Sequence, residues 1–453
     1  MKAFVYTILS IILLSYSQRA SSQMTARVVA DNLFIPWELV YGPDGHIWFT
    51  QKNGYICRLE PVNGKVDTLY YEPNTSIQSE SGMLGMALHP DFANNPYVYV
   101  AYNYQQGGMK ERIIRLTYDG TKLTTPTTLI EDIEGSGIHN GCRLKIVGDK
   151  LYITTGDAAD QATPQNINSV NGKVLRLNLD GTIPADNPIA GNPAWSWGHR
   201  NAQGLVYANN RLYSSEHGPS TDDEINIIEK GRNYGWPDVH GYCNTTAEMT
   251  FCNDSNVVEP IMAWTPTIAV SGIDYYNHPM FPALQNSVLM TTLKDAKLYQ
   301  LQLNSSFDDV AASNVISIIS GKRLRAICID PDGRIYVSTS TSPSSGTGAK
   351  TDQIIEIYDP SYSSVGRLLK EKNQLIAVYP NPAKDEINVY ANIAAGNVAY
   401  EYAIINTSGQ VLAGNILKAG NNKISLSGVP SGIYWLQVSD GGAQVSSTKF
   451  NKL

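Results

Sequence analysis

One histidine and one aspartate in the middle of the chain have the spacing of a catalytic acid–base pair. His139 precedes a predicted β-strand, and Asp157 follows the strand that pairs with it. The start of one strand and the end of its antiparallel partner lie at the same end of a sheet, so the carboxylate can orient the imidazole and raise its basicity. The pair therefore predicts a general base, although an isolated histidine more often satisfies a loop carbonyl.

Further polar and basic residues fall at the same end of the predicted hairpins. Taken singly, each is better explained as a surface ion-pair partner, but their shared position predicts one concave site rich in cations. Guanidinium groups suit a small ligand with several carboxylates or phosphates, and no Gly-rich phosphate loop accompanies them. The residues expected at this site, besides the pair above, are Glu80, Arg200, Asn201, Trp264, Lys294, Arg323 and Arg325.

An acidic, turn-rich stretch at residues 218–242 offers carboxylates and exposed turn carbonyls. These are the hard oxygen ligands that calcium prefers. The stretch lacks the regular spacing of a helix–loop–helix calcium loop. By pattern alone, a solvated acidic turn is at least as good an explanation as a calcium site.

Six segments share one pattern: a short apolar run, a turn, and a second β-type run that is usually aromatic. They are residues 37–51, 84–103, 142–156, 204–216, 272–293 and 325–340. Successive units are about 50 to 75 residues apart, which suits a four-stranded blade with its loops. The sequence thus predicts an all-β chain with a six-bladed β-propeller. A series of β-sandwiches is the main alternative, but sandwich turns recur at shorter intervals.

Both ends of the chain differ from this repeat region, which is expected to span residues 24–360. Residues 1–23 have the charged, apolar and small-residue order of a cleaved export signal; a membrane anchor is the alternative, but the apolar run is short for one. Residues 361–374 are predicted to be a linker. Apolar and polar residues then alternate around glycine turns, which predicts a small C-terminal β-sandwich at 375–453.

Composition narrows the class of protein. With 42% hydrophobic and 17% charged residues in 453, the chain can bury a large core. Its net charge of -7 provides no basic field for nucleic acid. Of five cysteines, Cys243 and Cys252 lie close together in a polar stretch and are candidates for a disulfide, whereas Cys142 and Cys328 are interpreted as buried thiols on strands.

The repeat region resembles the soluble quinoprotein aldose sugar dehydrogenases, relatives of soluble glucose dehydrogenase. The resemblance covers residues 28–358, and its strongest segments are SGMLGMALHPDF, HNGCRLKI with TGD, NGKVLRLNLDGTIPADNP, GHRNAQGL, EHGPSTDDEINIIEKGRNYGWP, AWTPTIAVSG, LKD and RLRAICIDPDGRIYV. It implies an oxidoreductase that converts an aldose to its lactone with pyrroloquinoline quinone (PQQ) and calcium, and that passes electrons to an external acceptor.

The resemblance also implies a role for each residue. His139 removes the proton of the anomeric hydroxyl while hydride passes to PQQ, Asp157 orients His139, and Arg200 polarises the quinone oxygen. The remaining implied roles are PQQ binding by Asn201, Lys294, Arg323 and Arg325, sugar binding by Glu80 and Trp264, calcium binding by the carbonyls of Gly218 and Pro219, and a structural calcium at Glu224, the Tyr234 carbonyl and Asn244.

Two positions depart from the glucose-oxidising members of that family. Where they have an aspartate before the catalytic histidine, this chain has Ile138, and where they have a glutamine, it has Glu80. Both positions belong to the sugar-binding side. Glucose is therefore not assigned as the substrate.

The C-terminal unit resembles the sorting domain of cargo exported by the type IX secretion system of Bacteroidetes-type bacteria. The resemblance rests on the YPNPA opening, the GVPSGIYWLQV strand and the basic end at 449–452. It implies an encounter with that machinery and a secreted or cell-surface location. A generic carbohydrate-binding sandwich is the alternative, but no exposed aromatic platform stands out.

Two other classes of function share the predicted fold. A non-catalytic propeller that binds carbohydrate or protein would be expected to lose some members of the base-and-cation set, which this chain keeps. A calcium-dependent lactonase would need no cage for an anionic cofactor. The oligomeric state is left open, with a homodimer as one option.

Overall fold

The computed structural model describes residues 23–341, 350–360, 362, 375–391, 393, 400–440 and 443–453. The expected export signal lies outside these residues except for Gln23, and the expected linker lies outside them except for Tyr362. Both boundaries stay predictions. Within the described ranges, no helix is long and apolar enough to cross a membrane.

Six four-stranded antiparallel sheets, or blades, form between residues 25 and 358. The first strand of the chain is β1 (Thr25–Leu33), and the next twenty-three follow in order: β2 (Pro36–Tyr41), β3 (Ile47–Gln51), β4 (Tyr55–Leu59) and β5 (Val66–Tyr71); β6 (Met83–Leu88), β7 (Tyr97–Gln105), β8 (Met109–Tyr118) and β9 (Leu123–Glu134); β10 (Gly141–Val147), β11 (Lys150–Thr155), β12 (Lys173–Asn178) and β13 (Ala194–Trp197); β14 (Ala202–Ala208), β15 (Arg211–Glu216), β16 (Asp223–Ile227) and β17 (Met262–Trp264); β18 (Val270–Tyr276), β19 (Ser287–Thr292), β20 (Leu298–Leu303) and β21 (Val310–Ile316); β22 (Leu324–Ile329), β23 (Ile335–Thr339) and β24 (Asp352–Tyr358). Each predicted repeat coincides with the first two strands of one blade.

The six blades form a closed ring. The first strands of successive blades pack side by side, and β22 of the sixth blade packs against β2 of the first. The ring is closed by β1, which pairs antiparallel with β24 as the outer strand of the sixth blade, with Thr25 opposite Tyr358. The six-bladed propeller is thus confirmed, and a series of separate sandwiches is ruled out for this region.

The aromatic residues that mark the repeat form the core between blades. Trp48, Tyr99, Tyr213 and Tyr336 lie on the second strands and are at most 1% exposed. Side chains on both faces of these strands pack against neighbouring blades, and burial of such large rings is a major source of stability. This explains why their sequence runs are nearly continuous in apolar character.

Helix is confined to short segments in the described part of the chain. They are α1 (Thr246–Ser255) and two 3₁₀ turns at Pro282–Leu284 and Ser317–Ile319. Thr245 caps α1 through reciprocal hydrogen bonds with Glu248. A disulfide joins Cys243, which precedes the helix, to Cys252, which lies in it. The predicted disulfide is therefore confirmed, and Cys142 and Cys328 are free, buried and on strands, as expected.

The C-terminal unit has two sheets. One contains β25 (Ile376–Tyr379), β26 (Glu386–Ala391) and β29 (Gly420–Ser425); the other contains β27 (Tyr400–Asn406), β28 (Val411–Leu417), β30 (Gly432–Asp440) and β31 (Ala443–Lys452). Ile387, Val389, Ile404, Leu436 and Phe450 are fully buried in one apolar cluster that both sheets share. The alternating pattern in the sequence thus produces the predicted small sandwich.

Candidate active site

All six innermost strands carry an irregularity near their first residue. The register shifts between the first and second strand of every blade, for example between Gly141 and Leu144 in β10 and between Leu324 and Ile327 in β22. Such bulges turn side chains out of the normal alternation. We call the end of the ring at which these strands begin the mouth; the candidate site residues lie at or near it.

His139 and Asp157 meet as the sequence predicts. The Nδ1 atom of His139 lies 2.8 Å from Oδ1 of Asp157, and the two side chains are 14% and 1% exposed. With Nδ1–H donated to the carboxylate, Nε2 is the ring nitrogen left to accept a proton. The pair therefore has the hydrogen-bond geometry of an oriented general base.

Backbone geometry fixes the position of His139. The residue has a φ of 58°, and its N–H donates to Oε2 of Glu80 at 2.9 Å. A side chain at Gly156 would place its Cβ only 1.8 Å from the His139 carbonyl oxygen, so the TGD sequence allows the close approach. The unusual turn is thus held by Glu80 on one side and by Gly156 on the other.

Trp236 holds the other side of the Asp157 carboxylate. Its indole N–H donates to Oδ2 at 2.9 Å, and the Ala159 N–H donates to Oδ1 at 2.8 Å. The same indole ring lies 5.2 Å below the guanidinium of Arg200. Trp236 thus links the acid–base pair to the neighbouring cation.

Arg200 and Asn201 are held through their backbone. Oε1 of Glu216 accepts the N–H of both residues, and its Oε2 lies 2.9 Å from Nδ1 of His199. On the other side of its ring, Nε2 of His199 lies 2.9 Å from the Ser196 hydroxyl. Ser196, His199 and Glu216 are almost fully buried, so this relay supports the strand start and has no access to a substrate.

A hydrogen-bond network then crosses the mouth from blade to blade. Oδ1 of Asn201 accepts the Gly141 N–H at 3.1 Å and the Gln203 amide at 2.9 Å, while its Nδ2 lies 3.3 Å from Oε2 of Glu80. Gln203 in turn accepts Nη1 of Arg325 at 2.8 Å. Glu80, Asn201 and Arg325 are thus brought together.

The arginines of the mouth suit an anionic ligand. Burial lowers the pKa of Arg200 and of Arg323, and burial together with the nearby Arg323 charge lowers the pKa of Arg325 to about 9. The Nε atoms of Arg200 and Arg325 are buried and have no hydrogen-bond partner among the described residues. Like charges held together with unused donors favour a ligand that carries several carboxylates. PQQ is such a molecule, so these residues fit it.

Three predicted positions differ in detail from the expectation. Arg325 is the second residue of β22 and lies within the strand, where the bulge turns it toward the mouth. Trp264 ends the outer strand β17 and packs edge-on against Tyr299, with ring centres 6.3 Å apart. Lys294 is exposed and donates to the Thr267 hydroxyl at 3.2 Å.

Four of the five residues predicted to bind calcium line one small cavity. Gly218, Pro219, Glu224 and Tyr234 surround a space of about 20 Å³, and Asn244 is exposed at a turn outside it. This volume suits a single water-sized occupant, so the cavity has room for only one of the two expected ions. Burial raises the pKa of Glu224 to about 8, and the charge of Glu216 on the paired strand adds to the rise, so a cation here would relieve repulsion.

Across the described ranges, no group of three or more His, Cys, Asp or Glu side chains is placed to hold a metal. The ligands expected for calcium are mainly backbone carbonyls with one carboxylate, so such a group is not required. The donor set at this cavity is therefore compatible with calcium.

Several residues of the mouth escaped the sequence analysis. Trp236, His199 and Gln203 were not assigned a role, although all three stand inside the segments that carry the family resemblance. Lys52 was also missed: it directly follows β3, the second strand of its blade, and its side chain is buried in the mouth. The rule that located Asp157 after a second strand would have found Lys52 as well.

Comparison with known proteins identifies both parts of the chain. Residues 33–347 match the family described as Glucose / Sorbosone dehydrogenase, and residues 377–451 match the family described as Secretion system C-terminal sorting domain. The second match indicates export by the type IX secretion system, to the medium or to the cell surface.

Several relatives of the first part are named as sugar dehydrogenases. The chain is 30% identical to quinoprotein glucose dehydrogenase B of Acinetobacter calcoaceticus over 72% of this chain and 87% of that protein. It is 31% identical to an aldose sugar dehydrogenase of Escherichia coli over 71% and 92%. The solved PQQ-bound aldose sugar dehydrogenase of Streptomyces coelicolor superimposes with a TM-score of 0.64 at 31% identity, covering 74% of this chain and 98% of that one.

Proposed function

Because the chain belongs to the Glucose / Sorbosone dehydrogenase family, we propose that its propeller oxidises the anomeric hydroxyl of an aldose to the lactone with PQQ and calcium. The observation that carries this proposal is the oriented pair of His139 and Asp157 at a mouth that also holds the buried arginines. Oxidation of an alcohol needs a proton acceptor and an electron acceptor, and the two groups of residues suit these two needs.

The residues proposed to hold PQQ are Asn201, Lys294, Arg323 and Arg325, together with Arg200. Guanidinium groups bind carboxylates through paired hydrogen bonds, which is why arginines dominate this set. When bound, PQQ supplies the acceptor for the hydride of the sugar. The Arg200 guanidinium, which donates through Nη1 to the His217 carbonyl, is proposed to stabilise negative charge on a ligand oxygen.

His139 is proposed to take the hydroxyl proton at Nε2. Asp157 holds the opposite ring nitrogen and stabilises the positive charge that the imidazole gains. Trp236 and the Ala159 N–H keep the carboxylate in place, so it acts on the ring and not on the substrate. These contacts orient the base before a sugar arrives.

One calcium ion is proposed to bind at the carbonyls of Gly218 and Pro219, beside the cofactor. A second, structural ion is proposed to bind at Glu224 and the Tyr234 carbonyl. Asn244 was included in that ligand set, and it lies outside the cavity that the other four line. We therefore propose the structural ion without a contribution from Asn244.

The sugar pocket is proposed to include Glu80 and Trp264. Glu80 already accepts the His139 N–H and contacts Asn201, so a sugar hydroxyl would share a carboxylate that also holds the base. The neighbouring Ile138 is 39% exposed and offers an apolar surface. An aldose with fewer polar groups on that side is favoured over glucose.

Export and processing complete the proposal. We propose that residues 1–23 are a cleaved signal, that 24–360 form the enzyme, and that 361–374 link it to the sorting domain at 375–453. The external electron acceptor and a homodimer stay predictions. A lactonase or a binding propeller would use the fold but would have no need for the cations beside the base.

Reconstitution of the purified protein tests the function. We expect dye reduction with a panel of aldoses only when PQQ and calcium are both added, and its loss in His139→Ala. The variant should still bind PQQ, measured by quenching of tryptophan fluorescence, because His139 is not among the cations of the mouth. If the wild-type protein binds no PQQ at saturating calcium, the oxidoreductase proposal is wrong.

A further inference from the structure

Lys52 is a buried lysine at the mouth for which the proposed function has no role. It follows β3 at the turn into β4 and is 3% exposed. Lysine is almost never fully buried without partners, because removing its ammonium from water is costly. The position therefore calls for a physical reason.

The local structure places the Lys52 ammonium beside Glu80. Nζ donates to the carbonyl of Ser79, and the Lys52 carbonyl accepts the Met83 N–H at 3.0 Å. A Cβ on Gly82 would lie 2.5 Å from Cγ of Lys52, so the side chain is packed closely against this turn. The first blade thus delivers a cation to the turn that carries Glu80 in the second blade.

Three cations share this region of the mouth. Arg325 and Arg323 act on Lys52 from the start of β22, and Glu80 is the acidic group that opposes them. Burial is the first cause that lowers the pKa of Lys52 to about 8, followed by the charge of Arg325. Asp352 is a further acidic neighbour of both arginines.

We propose that Lys52 belongs to the binding site for the carboxylates of the cofactor, as a cation that acts together with Arg323 and Arg325. The inference rests on the proposed function. A ligand with several carboxylates would offset the repulsion among the three cations and the cost of burying the ammonium. The position of Lys52 in its blade is similar to that of Asp157 in the third blade: Lys52 is the first residue after the second strand, and Asp157 is the second.

Binding should then depend on pH. An anionic ligand favours the charged ammonium and therefore raises the pKa of Lys52. When the complex forms at a pH above the pKa of Lys52 in the free protein, the complex takes up a proton. Affinity should be constant below about pH 8 and should fall as the pH rises above it. Within the described residues, the charged groups that act on Lys52 are Glu80, Arg323 and Arg325, and they are retained in every variant used below.

A structural role for Lys52 makes a different prediction. If Lys52 serves only to hydrogen-bond the Ser79 carbonyl, its removal should lower the melting temperature and leave the pH dependence of PQQ binding unchanged. The two roles are separated by measuring the Kd for PQQ at saturating calcium, by fluorescence quenching, at pH 7 and pH 9. The variants are Lys52→Met and Lys52→Arg, with Lys65→Met as the control, since Lys65 is exposed and pairs with Asp67.

We expect Lys52→Met to raise the Kd at pH 7 about tenfold, the typical effect of losing one charge-assisted contact, and to remove most of the rise in Kd between pH 7 and 9. Lys52→Arg, which stays charged, should bind like wild type at pH 7 and should also show a much smaller rise in Kd at pH 9, because only Arg325, with a pKa of about 9, then loses charge. If Lys52→Met binds as tightly as wild type, or if Lys52→Arg keeps the wild-type pH dependence, the inference is wrong. If wild type and Lys65→Met also fail to bind PQQ, the proposed function itself has failed.

Discussion

Trp236 donates its indole N–H to Oδ2 of Asp157 at 2.9 Å, on the carboxylate whose other oxygen meets the His139 ring at 2.8 Å. The two partners come from different blades and hold the carboxylate from opposite sides. The geometry of the base therefore depends on a residue that does not contact His139 through any hydrogen bond in the described structure. This makes Trp236 a positioning residue.

Replacing Trp236 with phenylalanine should impair turnover more than binding. The variant keeps an aromatic ring beneath Arg200 but loses the hydrogen bond to the buried Asp157 carboxylate. Losing a hydrogen bond to a charged group costs about 1.5–3 kcal/mol, which corresponds to a decrease in kcat of roughly tenfold to a hundredfold. Steady-state dye reduction gives kcat and KM, and fluorescence titration gives the Kd for PQQ.

Trp195→Phe serves as the control, because Trp195 stacks on Arg176 away from the acid–base pair. An equal loss in both tryptophan variants, or a change in KM alone for Trp236→Phe, would contradict the positioning role.

Removal of calcium should lower both stability and cofactor affinity. A ligand that binds only the folded protein stabilises it in proportion to the logarithm of its concentration over Kd, so the melting temperature should rise with added calcium and fall with a chelator. In Glu224→Gln the rise should be smaller, because the carboxylate at the cavity is lost.

Differential scanning fluorimetry with and without calcium measures this effect, and Glu229→Gln, at an exposed ion pair with Arg232, is the matched control. A melting temperature that changes neither with added calcium nor with a chelator would show that the cavity holds no ion.

Asp330 should make stability depend on pH. Burial raises its pKa to about 7, and the charge of Asp332 adds to the rise. The unfolded group has a pKa near 3.9, so between about pH 4 and pH 7 the folded state binds more protons and loses stability as the pH rises. In Asp330→Asn the acceptor for the Asp332 and Arg334 N–H groups is retained without the charge.

The melting temperature of Asp330→Asn should therefore fall less than that of wild type between pH 5 and pH 8. Asp149→Asn, at a side chain that is 83% exposed, should follow the wild type. Parallel curves for wild type and Asp330→Asn would show that this carboxyl is ionised throughout.

The sequence predicted the hairpins because their information is local. An apolar run, a turn and an aromatic run specify two paired strands, and the position of His139 and Asp157 follows from that pairing alone. The outer strands lack such a signal, because β9 and β21 are largely exposed and so have no apolar run. Trp264, the last residue of β17, pairs with Asp223, which is far from it in the sequence, so this pairing is not local.

Other features depend on contacts between blades. Asn201 and Glu80 are 121 residues apart, and Arg325 and Gln203 are 122 apart, so their hydrogen bonds leave no periodic trace in the sequence. Arg325 also points into the mouth from inside a strand, because a bulge interrupts the alternation that a sequence pattern assumes. Lys52 followed the same local rule but stands in the polar turn at residues 51–53, where a lysine is ordinarily a solvated surface residue.

The pairing of β1 with β24 has a consequence for the order in which the molecule is built. Thr25–Leu33 emerges first from a ribosome or a translocation channel, whereas Asp352–Tyr358 emerges more than three hundred residues later. The ring cannot close before both strands are available to pair, so the propeller stays open until its last strand has been made. Proteolysis that trims only a few residues beyond the expected signal would remove part of β1 and leave every proposed catalytic residue in place.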